Sequence, residues 1–237
     1  MEVTLIGQST LLIEMPGLTV MTDPWWGRFE FMRSVPMGMD PREIRSLDLM
    51  LVSHNHIDHW SRPAIDLARR LGTRVFGSTR AARRARRHGL GDAVAMRPGD
   101  RREFAGARIH AVHAFHPLAR DAVGFVMEGE KTFYFSGDTR YSPELSEELE
   151  GFRLDVAFVQ VACSTYPCIG EDGMDLDSAA RLLGEIKPRL AIPIHYQVRG
   201  KVLRAEELRA WRPPCKVAVL DPGVRSCILH TAEIAGD

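Results

Sequence analysis

The chain has 237 residues, of which 45% are hydrophobic and 26% charged, and its formal net charge is zero. This is the composition of a soluble globular protein with room for a sizeable core, and it gives no whole-molecule attraction to nucleic acid or to an anionic membrane. No apolar run reaches membrane-spanning length, and the N-terminus opens with Val3-Thr4-Leu5-Ile6 rather than a leader, so a cytoplasmic location is the default expectation.

In chain order, Val3 to Gly7, Thr10 to Glu14 and Leu18 to Thr22 read as short strands separated by Gly7-Gln8-Ser9 and Pro16-Gly17. An irregular aromatic stretch, Trp25-Trp26-Gly27-Arg28-Phe29-Glu30-Phe31-Met32, ends near Pro41. Leu47 to Val52 is a continuous apolar run, as expected of a strand buried on both faces. Ser61 with Pro63 opens a helix carrying Ile65, Leu67, Ala68 and Leu71. Val75 to Gly77 is a strand, and Ser78 or Thr79 caps an arginine-rich helix that stops at Gly89. Strands follow at Arg108 to Phe115, Gly124 to Glu128, Thr132 to Phe135 and Val156 to Ala162. Asp177-Ser178 starts a helix that Lys187-Pro188 stops. Leu190 to Ile194 is a strand, Ala205 to Trp211 a helix, and Val217 to Leu220 a closing strand. No low-complexity linker divides the chain. The order predicts an α/β protein of two packed sheets with helices outside, built from two similar halves in a single domain spanning 1–237.

The densest chemistry lies in His54-Asn55-His56-Ile57-Asp58-His59, which follows the buried strand directly, where α/β folds collect their functional groups. Imidazole and carboxylate ligands suit zinc, with manganese and iron also fitting, and no thiol is involved. A solvated loop with chance histidines is the bland alternative. Buried without a cation, so many polar groups would lack partners. Four further candidates end apolar strands or follow them closely: His113, His116, Asp138 and His195. Asp138 sits in Phe135-Ser136-Gly137-Asp138-Thr139, where Gly137 permits a tight turn. Together these ligands divide into sites for two divalent cations, which can hold a bridging hydroxide at neutral pH and polarise a phosphoryl or carbonyl oxygen.

His54-x-His56-x-Asp58-His59, a mid-chain histidine, Ser136-Gly137-Asp138-Thr139 and Ile194-His195-Tyr196 together resemble the metallo-beta-lactamase superfamily. More narrowly, they resemble its branch of ascorbate-phosphate lactonase-like proteins and N-acyl-phosphatidylethanolamine phospholipase D. Thr22-Asp23-Pro24 and Gly173-Met174-Asp175 add to the likeness. The resemblance implies a four-layer alpha-beta/beta-alpha sandwich with the metals at the sheet edge. It also implies that His54, His56 and His116 bind one metal, that Asp58, His59 and His195 bind the other, and that Asp138 bridges them. Catalysis would then rest on Asp58, His59 and Asp138. His116 fits the family's strand-end pattern better than His113, which would act as a supporting group or proton donor. Gln8 stands where many relatives carry a histidine.

The expected activity is that of a metal-dependent hydrolase acting on a small anionic molecule through a phosphodiester or a lactone or other acyl ester. A nuclease of the same superfamily, an iron redox protein and a non-catalytic metal-binding module are the alternatives. Arg80, Arg83, Arg84 and Arg87 share a helix face, but no aromatic stacking platform accompanies them, which argues against nucleic acid. Trp25, Trp26, Phe29, Phe31 and Met32 could line a pocket, pack in the core or join two copies in a homo-oligomer. Tyr141, Tyr166, Tyr196 and Arg199 could reach a bound anion. Cys163, Cys168, Cys215 and Cys227 form no C-x-x-C pair and read as small buried hydrophobes, with a Cys163–Cys168 disulfide as the alternative.

Overall fold

A computed structural model describes residues 1–27, 30–198 and 202–228. The first half contributes β1 (Glu2–Gly7), β2 (Thr10–Met15), β3 (Leu18–Thr22), β4 (Leu49–Val52), α1 (Arg62–Leu71), β5 (Arg74–Gly77), α2 (Thr79–Arg87) and β6 (Val94–Ala95). The second contributes β7 (Arg101–Phe104), β8 (Ala107–His113), β9 (Val123–Glu128), β10 (Phe133–Phe135), α3 (Pro143–Glu150), β11 (Val156–Gln160), the hairpin β12 (Thr165–Tyr166) and β13 (Gly170–Glu171), α4 (Leu176–Ile186), β14 (Leu190–Ile194), α5 (Ala205–Ala210), β15 (Lys216–Val217) and β16 (Arg225–Cys227).

Among the described residues the long strands form two seven-stranded sheets, ordered β16-β1-β2-β3-β4-β5-β6 and β15-β14-β11-β10-β9-β8-β7. Each is mixed. β3 to β6 run parallel in the first sheet and β10, β11, β14 and β15 in the second, while the hairpin-linked strands beside them are antiparallel. Strand alternation explains the layering. Leu49 and Leu51 join the core between the sheets with Val20, Phe76 and Phe125. Met50 and Val52, on the other face of the same strand, pack under Ile65 and Ala68 of α1 and Ala81 and Ala85 of α2. An apolar run buried on both faces is what this sandwich requires of β4, and the expected fold class is the one observed.

Several boundaries differ from the sequence reading. α4 starts at Leu176 with Asp175 as its cap: Asp175 Oδ1 accepts from Ser178 N at 2.9 Å, while Ser178 Oγ accepts from Asp175 N at 3.0 Å. Asp177 and Ser178 therefore lie inside the first turn, because this reciprocal box satisfies two terminal N–H groups at once. The helix α3 went unread because only Leu145, Ser146 and Leu149 are buried on an otherwise acidic segment. In β7 Arg101, Arg102 and Glu103 are exposed, as suits a charged strand closing a sheet edge.

Trp25 and Trp26 are core residues, so the packing reading holds for them, whereas Phe31 is 68% exposed. Phe29 lies outside the described residues. The cysteine reading needs correction. None of the four is in a disulfide, and instead of being buried Cys168 and Cys227 are exposed and Cys163 and Cys215 half-buried, because they fall on a hairpin turn, an edge strand and loops rather than on inward-facing strand positions.

Candidate metal centre

Parallel strands deliver their C-terminal ends to one edge of the sandwich. Asp23 follows β3, the histidine loop follows β4, Asp138 follows β10 and His195 follows β14, while His116 arrives from beyond β8. The histidine loop turns tightly, with His59 N and Trp60 N both donating to His56 O, at 3.2 and 2.9 Å. Buried Trp60 anchors the turn, and Ser61 then caps α1.

The loops bring three overlapping sets of ligand atoms together, of which Asp23, His54 and His59 form one that links the other two. His54, His56 and His116 form one of those two, and Asp58, His59 and His195 the other, each with its donor atoms within 4.8 Å of one another. His116 Nε2 lies 3.4 Å from His56 Nδ1. Asp58 Oδ2 lies 3.6 Å from His59 Nε2 and 3.8 Å from His195 Nε2. Asp138 Oδ2 is 3.2 Å from both His59 Nε2 and His195 Nε2, and its charge also acts on His54 and His116 across the site. All seven residues singled out in the sequence thus converge. His113 does not join them: its ring is 56% exposed and pairs with Glu148 at 3.0 Å, which removes it as a supporting group of the cluster. Tyr141 donates to Glu185 on the surface, Tyr196 is buried, and Arg199 lies outside the described residues.

A ring of supporting contacts escaped the sequence reading. Asp23, fully buried, accepts from Ser53 N at 2.6 Å, from Ser53 Oγ at 2.5 Å and from His59 Nδ1 at 2.7 Å. Ser53 Oγ also meets His54 Nδ1 at 2.9 Å, so one carboxylate braces a ligand of each set. His116 Nδ1 donates to the Asp172 carbonyl at 2.8 Å. His195 N donates to Gln8 O at 3.1 Å, and Gln8 and Gln197 bond each other's backbone N–H through their side chains. Gln8, Asp23 and His195 all adopt positive φ, at 57°, 35° and 60°. Such backbone costs about 1–3 kcal/mol per residue and persists where surrounding contacts over-determine it. Thr22-Asp23-Pro24 was the available signal for Asp23; the Asp172 carbonyl, being backbone, had none.

Gly137 is equally constrained. Its φ is +55°, and a Cβ there would lie 2.5 Å from Ser53 Cβ and 2.8 Å from Ser53 Oγ. The Asp138 turn and the histidine loop therefore touch at a point that admits no side chain. Thr139 ties the same turn to the third loop, its Oγ1 accepting from Phe115 N at 2.8 Å.

Charge is distributed unevenly over the cluster. Burial, then repulsion from His59, pushes His54 well below the usual histidine range, and burial likewise lowers His116. Burial also opposes charge on His59 and His195, but Asp138 and the neighbouring carboxylates outweigh it and raise both. Asp138 is held well below the carboxylate range because His195 and His59 overcome its burial. The residues fit divalent cations on a separate ground. His54 Nε2 and Asp138 Oδ1 are buried atoms with no hydrogen-bond partner, while His59 Nε2 and His195 Nε2 both crowd onto Asp138 Oδ2, an arrangement expensive for a protein unless a cation meets it.

Paired mixed sheets with a histidine–aspartate cluster at one edge define the metallo-beta-lactamase fold. In agreement, the Beta-lactamase superfamily domain profile matches residues 19–196, a span holding all seven candidate ligands. A UPF0173 metal-dependent hydrolase from Anaeromyxobacter sp. (strain K) is 31% identical, over 94% of this chain and 85% of the relative. Another from Thermoplasma volcanium is 30% identical, over 76% and 78%. The crystal structure of isothiocyanate hydrolase from Delia radicum gut bacteria superposes with a TM-score of 0.82 over 96% of this chain and 98% of that one, at 20% identity, a likeness of fold. The chain belongs to the beta-lactamase superfamily and, within it, to the family of UPF0173 metal-dependent hydrolases.

Proposed function

We propose that this protein is a binuclear metal-dependent hydrolase of small anionic substrates. His54, His56 and His116 would hold one divalent ion, Asp58, His59 and His195 the second, and Asp138 would lie between them. The observation that carries this reading is two neighbouring three-ligand sets, with Asp138 against His59 and His195 of the second and with His54 Nε2 and Asp138 Oδ1 buried without partners. Zinc suits the nitrogen and oxygen donors, as do manganese and iron.

Bound ions of this kind supply a Lewis acid for the electrophile and lower the pKa of a water that attacks it. The protein's part is to fix that arrangement. Asp23 and Ser53 set the ring orientation of His59 and His54, the Asp172 carbonyl sets that of His116, and Gln8 with Gln197 seats His195. Two divalent ions would outweigh the carboxylates of Asp58, Asp138 and Asp23, leaving a positive site that favours an anionic substrate and a developing oxyanion. The leading bond types are a phosphodiester, from the phospholipase-like motifs, and a lactone or acyl ester. The isothiocyanate hydrolase of like fold adds an electrophilic carbon as a further substrate type.

The nuclease alternative loses support from α2. Arg84 donates to Trp60 O at 2.8 Å, Arg86 to Ala93 O at 2.9 Å, and Arg80 Nε lies 3.6 Å from Asp121. Arg80 and Arg84 of the expected basic face are therefore engaged within the fold, while Arg83 and Arg87 stay exposed. The test is elemental analysis of the purified protein combined with turnover of bis-p-nitrophenyl phosphate and a lactone panel. Two equivalents of metal and hydrolysis of either class support the reading. Tight metal with no turnover of any of them would count against this reading and favour the non-catalytic module.

A further inference from the structure

A cavity of about 630 Å³ opens beside the metal centre, with His116 in its wall. It lies on the same sandwich edge: Thr79 follows β5, Met96 follows β6, Phe115 follows β8 and Arg140 follows β10. Its size is that of a small-ligand site, and ligands of open α/β sheets settle outside strand C-termini. Half-buried Pro98, Phe115 and Pro117 give its lining apolar surface, Met96 lies buried behind them, and Arg97, Arg120 and Arg140 bring positive charge to it.

These arginines are not neutralised by their neighbours. Arg97 and Arg120 are exposed, and their side chains make no hydrogen bond or ion pair among the described residues. Arg140 donates to the carbonyls of Ile169 and Glu171, which fix its position and leave its charge in place. Asp121, the carboxylate in the lining, is engaged by Arg80: its Oδ2 accepts from Arg80 N at 2.7 Å. A concave surface with positive charge over apolar walls is complementary to an anion joined to a hydrocarbon or aryl segment.

We propose that this cavity is the substrate-selecting subsite, and that it takes an anionic headgroup, carboxylate or phosphate, on Arg97 and Arg120 with an apolar segment against Phe115 and Pro117. The scissile bond would then lie on the His116 side of the cavity, over the metals. The assignment of the neighbouring centre as hydrolytic is the reading given above, so the test measures binding rather than turnover.

The probes are hydrocinnamate and phenethyl phosphate, which differ in headgroup, and the neutral hydrocinnamyl alcohol. Each is titrated calorimetrically into the metal-loaded full-length protein and into Arg97→Gln, Arg120→Gln and the double variant. Arg102→Gln, exposed on β7 and away from the cavity, is the control for general loss of positive charge. The expected result is that one or both anions bind the wild type more tightly than the alcohol, and that the double variant loses about fivefold or more of that affinity while the control keeps it. The headgroup that loses more identifies the preferred anion. Equal anion affinity in the wild type and the double variant, with metal content unchanged, would overturn the proposal by placing the anions on the metals. An equal loss in the Arg102 control would overturn it as nonspecific charge. No binding of either anion would also overturn it, and would leave the hydrolytic reading standing, since that is decided by turnover.

Discussion

The two halves of the metal cluster are built from similar residues and behave differently. His54, His56 and His116 form a set without a carboxylate, braced by a hydroxyl on His54 and a backbone carbonyl on His116. Asp58, His59 and His195 form a set in contact with Asp138, and His59 is braced by a buried carboxylate. Burial therefore decides the first set, keeping His54 and His116 neutral, whereas negative charge decides the second and draws protons onto His59 and His195. The first set thus resists protonation, and the second favours it.

Asp138 is the group proposed to lie between the two ions, so its removal is expected to give the largest effect. Asp138→Ala is expected to abolish turnover of bis-p-nitrophenyl phosphate and to lower bound metal measured by elemental analysis. Near-normal turnover would contradict a position between the ions. Gly137→Ala comes next. The new Cβ meets Ser53 in a backbone conformation that L-residues avoid, so a loss of about 1–3 kcal/mol is expected. For a chain of this size that corresponds to a fall in Tm of roughly 2–4 °C per kcal/mol. An unchanged Tm would show that the two loops part easily and that the halves are less tightly joined than their contacts imply.

What the sequence disclosed about this asymmetry follows from the range of the contacts. The clustering of the candidate ligands was legible because each ends an apolar strand or sits in one dense loop, and strand ends in such folds share an edge. His116 rather than His113 follows from strand geometry as well: His113 is the last residue of β8 and points out to Glu148, while His116 lies past the strand end. The braces were not legible. Asp23 reaches His59 across 36 positions, and His116 is held by a carbonyl 56 positions away that no side-chain pattern announces. The Gln8–Gln197 exchange joins opposite ends of the chain, 189 positions apart. The same limit applies to the fold, where β4 was plain from its apolar run and acidic α3 was hidden because few of its residues face the core.

The braces themselves offer a finer test of the difference. Asp23→Asn keeps the shape but removes the charge behind His59, and Ser53→Ala removes the hydroxyl beside His54. Supporting groups of this kind are worth about 10–100-fold in metal affinity. Asp23→Asn is expected to weaken the second ion by that order and the first by less, with Ser53→Ala reversing the preference. Competition against a chelator, read as two separate affinities, measures both. Equal weakening of the two ions in each variant would mean that Asp23 and Ser53 act as one unit and that the halves are not independently braced.

The smallest effect, and the most direct reading of the asymmetry, is the proton balance of metal uptake. His59 and His195 have raised pKa values, so they keep protons to higher pH than an ordinary histidine, and such a proton must leave before the nitrogen can coordinate. Lowering the pH favours the protonated form, and affinity for the second ion therefore falls as the solution becomes more acidic. His54 and His116 have lowered values and are already neutral, so the first ion should bind with little proton release over the same range. Calorimetric titration in buffers of different ionisation enthalpy separates the two events. Proton release confined to the step that fills the His59 and His195 set is the expected result. Release of equal size in both steps would mean that charge is shared evenly across Asp138 and that the cluster titrates as a whole.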